Sequence, residues 1–247
     1  MNILEMSKDE IIAIKYATVD WELSKEEMFH ILKELDGYLE FDYGALENGN
    51  PGHHFELKSG IHSDSFIDSS TVLQYENLRR IIARQLVNKY QRVDKVTANL
   101  NWDSPNCVAG IPNGAKLLGE NVSDIFKARK MDLIKQDGNI VMNSVLKLND
   151  TLLFVEDICT KGTALNESVN ALYEGNSSGT VVPFVLTIVN RGGLNQIQTN
   201  KGFVFDIVSL YSVNSFNEWD KDDCELCRMG SESIKPKEMR ENNLAMR

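Results

Sequence analysis

Between positions 156 and 163 the chain carries two adjacent carboxylates, Glu156 and Asp157, followed by Thr160, Lys161, Gly162 and Thr163. Neighbouring carboxylates suit the two hydroxyls of a ribose. Threonine hydroxyls and a lysine suit a phosphate, and a glycine among them lets the backbone approach closely. Such a set works best in front of a helix N-terminus, where free N–H groups and the positive end of the helix dipole attract an anion. Arg191, in VNRGG, offers a planar fork for a carboxylate that a lysine does not match. Its plainer reading is a surface arginine in a glycine-rich turn.

The elements needed to position these groups are legible around them. Residues 151–155, TLLFV, read as a buried strand, with Glu156 and Asp157 at its carboxyl end. In open α/β sheets that end is where ligands bind. A loop from Ile158 to Thr163 leads into a helix, TALNESVNALY, with Leu165, Val169 and Leu172 facing inward. The alternation repeats. NCVAGI (106–111) reads as a strand before the helical GAKLLGENVSDIF. TVVPFVLTIV (180–189) is a strand whose Pro183 predicts an edge or a bulge, and GFVFDIVSLYSV is another. Upstream, residues 76–90 place Leu78, Ile81, Ile82 and Leu86 at helical spacing. Residues 23–35 put Met28, Ile31, Leu32 and Leu35 on one face behind a Ser24/Glu27 capping box. HFELKSG and SFIDSS read as short strands after the turn ENGNPG. Strands alternating with helices predict a mainly parallel sheet flanked by helices.

The 247 residues are 42% apolar and 25% charged, ordinary for a soluble globular protein. A net charge of −10 argues against general nucleic-acid binding. A highly anionic substrate would need a locally positive site completed by a metal ion. No run of about 18 apolar residues predicts a membrane helix. MNILEMSKDE lacks the features of a secretory signal, so the expected compartment is the cytoplasm. In that compartment Cys107, Cys159, Cys224 and Cys227 are not a disulfide framework. Cys224 and Cys227 form a CxxC, half of a zinc site, which His53 and His54 or the same pair of a second subunit would complete. The reading preferred for them is two reduced cysteines in a turn. His30 and His62 read as ordinary residues.

The segment LLFVEDICTKGTAL resembles the 5-phosphoribosyl-1-pyrophosphate (PRPP) signature of type I phosphoribosyltransferases. HFELKSGIHSDSFID (54–68) resembles the hood of the orotate phosphoribosyltransferases, NCVAGIPNGAKLL (106–118) their pyrophosphate-binding turn, and KARKMDLIKQDGN (127–139) their mobile loop. The four occur in the family's order, over roughly residues 35–215. The resemblance implies an N-terminal helix and hood (1–75) and a PRPP-binding α/β core (76–216); beyond it, the polar and charged composition reads as a C-terminal tail with the CxxC (217–247). By that resemblance Glu156 and Asp157 hold the ribose hydroxyls, and Thr160, Lys161, Gly162 and Thr163 cradle the 5-phosphate. Lys58 lies near PRPP and base. Arg129, Lys130 and Lys135 reach the pyrophosphate from the mobile loop, with Arg129, Lys135 and Asp157 the catalytic residues. Phe66 lines the base pocket, and Arg191 grips the orotate carboxylate. The implied reaction makes orotidine 5′-phosphate from orotate and PRPP with Mg²⁺, in a homodimer.

The chain also departs from that pattern. Two extra residues separate Lys130 from Lys135, and Asp137 stands where a histidine or aromatic residue is usual. Pro112-Asn113-Gly114 lacks the tyrosine-lysine of some members, and Ile61 replaces a frequent arginine. These changes remove positive charge or stacking near the substrates. They leave open a different base, or a PRPP- or nucleotide-sensing subunit that acts through a partner.

Overall fold

A computed structural model describes residues 2–57, 59–93, 102–175, 178–213 and 216–241. The helix Lys25–Glu34 begins at the expected capping box: Glu27 N–H donates to the Ser24 hydroxyl, and Ser24 N–H to the Glu27 carboxylate. Short strands follow: β1 (Tyr38–Glu40), β2 (His53–Glu56), β3 (His62–Ser63) and β4 (Ser65–Ile67). The amphipathic helix Glu76–Arg92 then crosses to the core.

The core strands are β5 (Cys107–Gly110), β6 (Arg129–Met131), β9 (Thr151–Cys159), β10 (Thr180–Asn190), β11 (Gln196–Gln198) and β12 (Val204–Ser212); a hairpin of β7 (Leu133–Gln136) and β8 (Asn139–Met142) stands outside the sheet. The six-stranded order is β11-β12-β10-β9-β5-β6, parallel except for β11. Both faces of the sheet are covered. Leu153 and Val155 of β9 pack into one apolar cluster with the helix Glu76–Arg92, while Leu152 and Phe154 pack into another with the helix Thr163–Glu174 and the hairpin. The alternation is that of a strand whose successive side chains point to opposite faces.

Pro183 sits in an interior strand, not at an edge. The register of β10 on β9 shifts between Val181 and Val185, so the proline is accommodated by a bulge.

Residues 217–241 do not form a free tail. β13 (Glu218–Trp219) pairs antiparallel with β3, and β14 (Glu232–Ile234) pairs parallel with β2, giving the hood sheet the order β13-β3-β2-β14. The polar composition of this segment hid its strands because each is only two or three residues long. A short strand on a small sheet needs few apolar residues: here Trp219 packs against Phe41, Cys224 and Leu226. No helix among the described residues is long and apolar enough to cross a membrane.

Candidate active site at the sheet switch point

The chain runs from β5 outward to β6, then returns to the other side of β5 for β9. This reversal opens a crevice at the carboxyl ends of β5 and β9, the place where doubly wound sheets bind ligands. Glu156 and Asp157 lie on the β9 side, within a strand that runs two residues beyond them to Cys159. On the β5 side, Ile111 N–H donates to the Val155 carbonyl at 2.8 Å and starts the turn Pro112-Asn113-Gly114. A Cβ at Gly114 would lie 2.0 Å from Asp157 Oδ2, so only glycine lets this turn close onto the carboxylate.

Asp157 is held from two further directions. The Ser69 hydroxyl, just beyond the hood, donates to its Oδ2, and the Thr187 hydroxyl of β10 donates to its backbone carbonyl at 3.1 Å. Glu156 is buried at 7% exposure, and its Oε2 has no hydrogen-bond partner. Burial, reinforced by the Asp157 charge, pushes its pKa up to about 8.

The connection from β9 to the next helix is short. Thr160 and Lys161 are exposed, Gly162 caps the helix Thr163–Glu174 in the left-handed region (φ 72°), and exposed Thr163 opens it. A side chain at Gly162 would also strike Ile197 of β11, with a Cβ only 2.6 Å from it. The helix N-terminus and two threonines therefore face solvent beside the acidic pair, an arrangement suited to an anionic group carried on a polyhydroxylated sugar.

Similarity to known proteins agrees with this geometry. The chain is 27% identical over 218 residues to the orotate phosphoribosyltransferase of Caldicellulosiruptor saccharolyticus, covering 87% of this chain and 97% of that protein. It is 27% identical over 198 residues to the orotate phosphoribosyltransferase of Caldanaerobacter subterraneus, covering 78% and 93%. Over most of its length the chain is thus similar to orotate phosphoribosyltransferases. The crystal structure of orotate phosphoribosyltransferase from Aeropyrum pernix shares the fold, with a TM-score of 0.50 at 18% identity over 75% of this chain and 93% of that one. No family model matches the chain.

The crevice does not gather every residue that the sequence suggested. Arg129 opens β6 opposite Cys107, the first residue of β5, and pairs with Asp150, which precedes β9. It therefore stands in a strand at the amino end of the parallel sheet, away from the crevice, and not on the loop where it was expected. Lys130 pairs with Asp124 at 2.9 Å on the helix Lys116–Phe126.

The expected loop is instead the β7–β8 hairpin. Its buried Leu133 and Ile140 join the cluster that holds Leu165 and Val169, and Lys135 is exposed on it. Asp137 and Gly138 turn the hairpin with φ of 50° and 86°, the left-handed pair of a two-residue turn. Aspartate tolerates this left-handed conformation better than most residues.

Lys58 lies outside the described residues. Phe66, half-buried on β4, stands 6.2 Å ring to ring from Phe55. Arg191 follows β10 with its N–H bonded to the Cys159 carbonyl at 2.8 Å. Its side chain is 11% exposed, its Nη2 pairs with Glu218, its guanidinium lies over the Phe216 ring, and its Nε is buried without a partner. The surface-arginine reading is thereby corrected. Ser69, Gly114 and Glu218 were missed in the sequence. Ser69 and Gly114 sit in segments already suspected, whereas Glu218 lies in the segment read as a tail.

Proposed function

We propose that the chain transfers the 5-phosphoribosyl group of PRPP to orotate, forming orotidine 5′-phosphate and pyrophosphate. The observation that carries the reading is the Glu156–Asp157 pair at the switch-point crevice, with an open helix N-terminus six residues beyond Asp157. In this reading Thr160, Lys161, Gly162 and Thr163 hold the 5-phosphate, and the two carboxylates hold the ribose hydroxyls. The unpartnered Oε2 of Glu156 then gains a hydroxyl donor. The bond from C1 to pyrophosphate breaks, its electron pair leaves on the pyrophosphate oxygen, and a ring nitrogen of the base forms the new C1–N bond. The transition state resembles an oxocarbenium ion, as in glycoside hydrolysis. Mg²⁺ bound with PRPP would supply charge neutralisation on the leaving group, and the carboxylate oxygens of Asp157 would suit such a hard cation.

Phe66 lines the base pocket in this reading. Arg191 binds the orotate carboxylate through Nε and Nη2, displacing Glu218. Lys135 reaches the pyrophosphate of a second subunit across a homodimer. Exposed Val145 and Leu148, in the segment that follows the hairpin, are consistent with a covered surface there. Sedimentation should give at least a dimer at micromolar concentration.

The Arg191–Glu218 pair also favours a second reading, in which the reaction is kept and the base lacks a carboxylate. Offering PRPP, Mg²⁺ and a panel of bases, and measuring the pyrophosphate released, tests both. Orotate should be the best acceptor. Release with another base but not orotate selects the second reading, and release with none selects a PRPP-binding sensor.

A further inference from the structure

The hood and the C-terminal segment bring four metal-binding side chains together. His54 of β2, His62 of β3, and Cys224 and Cys227 around the short helix Glu225–Arg228 place one ligand atom each within 4.8 Å of all the others. His54 Nε2 lies 2.9 Å from His62 Nδ1 and 3.5 Å from each sulfur, and Cys227 Sγ lies 3.4 Å from His62 Nδ1. A tetrahedral Zn²⁺ with ordinary Zn–N and Zn–S bonds separates two nitrogens by about 3.3 Å and a nitrogen and a sulfur by about 3.6 Å. These four separations lie within about 0.4 Å of those a tetrahedral Zn²⁺ imposes.

The orientation of His54 is fixed for ligation. The Ser231 hydroxyl donates to the Gly52 carbonyl, so its oxygen accepts from His54 Nδ1–H at 2.9 Å. That bond leaves the lone pair of Nε2 facing the cluster, the outer-sphere support usual for a metal-bound histidine. His54, His62 and Cys224 are buried, and both cysteines are free thiols. His53, the alternative partner suggested by sequence, instead stands 3.9 Å from Glu232.

We propose that His54, His62, Cys224 and Cys227 form a structural Zn²⁺ site that fastens the C-terminal segment to the hood. Four protein ligands close the coordination sphere, which leaves no position for a substrate and makes the role structural. Two thiolates with two imidazoles favour zinc over hard cations. Binding replaces the two thiol protons, which go to solvent. The clamp joins residues that lie 170 positions apart in the chain. It also steadies β13, in which Trp219 pairs with His62 and Glu218 reaches Arg191. The proposal rests on the hood alone and stands whichever base the enzyme uses.

Full-length protein purified from zinc-supplemented medium should contain one zinc per chain. Chelation should remove it, expose both thiols to a thiol reagent and lower the melting temperature. Re-addition of Zn²⁺ should protect both thiols and release two protons per metal. Co²⁺ added to the chelated wild-type protein should give the strong red-region absorption of a tetrahedral cysteinate site, a readout that needs no variant. Cys224→Ser should lose that spectrum. Absence of zinc with no cobalt spectrum, thiols equally reactive with and without Zn²⁺, or a Cys224–Cys227 disulfide in freshly purified protein would each overturn the site.

Discussion

The Ser69 hydroxyl donates to the Asp157 carboxylate across 88 positions of sequence, tying the end of the hood segment to the strand end that carries the acidic pair. A hydrogen bond to a charged group contributes about 1.5–3 kcal/mol. Ser69→Ala should therefore destabilise the fold by about that amount in urea unfolding, with an unchanged denaturant slope. A loss below about 0.5 kcal/mol, the usual range of a neutral surface change, would mean that the bond carries no weight.

Glu156 connects the site to pH. Its folded pKa of about 8 lies above the ordinary glutamate value of about 4.3. Between these values the folded chain holds a proton that the unfolded chain has released. Stability is therefore complete below the lower value and falls as pH rises, by at most about 1.4 kcal/mol per unit. Glu156→Gln should remove this contribution and be more stable than wild type at pH near 8, while binding PRPP less well. Parallel stability–pH curves for the two proteins would contradict the assignment.

Glu218 occupies the arginine proposed to take the base carboxylate. Glu218→Gln should leave Arg191 free and lower KM for orotate several-fold with little change in KM for PRPP. Arg191→Ala should cost about 3–5 kcal/mol in kcat/KM for orotate, since breaking a buried charge pair leaves one partner unmatched. If Arg191→Ala leaves orotate kinetics unchanged, the base is recognised elsewhere.

Lys135 stands on the hairpin, exposed and close to its turn. Lys135→Ala should lower kcat at least tenfold and leave orotate affinity alone. Mixing it with a variant defective at Asp157 should restore some activity if the hairpin serves a neighbouring subunit. No recovery in the mixture would place its action within its own chain, or nowhere in catalysis.

The core was legible because its strands are continuous apolar runs and its helices keep a clear period, as in residues 151–155 and 76–90. The acidic pair was legible because chemistry and position agree: carboxylates follow an apolar strand and precede a helix start. Arg129 was placed on a loop because a basic residue at the start of an edge strand looks the same in sequence as one on a loop. Only the pairing with Cys107 and Asp150 distinguishes them. The hood's histidines and the CxxC were legible as residue types but not as neighbours. His54 and His62 meet in the local β2–β3 pairing, but the cysteines reach them only because β14 pairs with β2 and β13 with β3 across most of the chain, which no local pattern encodes.

The most direct measurement is calorimetric titration of PRPP with Mg²⁺ into wild type, Asp157→Asn and Thr163→Ala, with folding checked by circular dichroism. The account expects wild type to bind at one site per chain and both variants to bind at least tenfold more weakly. Wild-type affinity in both folded variants, or no binding by wild type, would contradict a PRPP site at Glu156–Thr163.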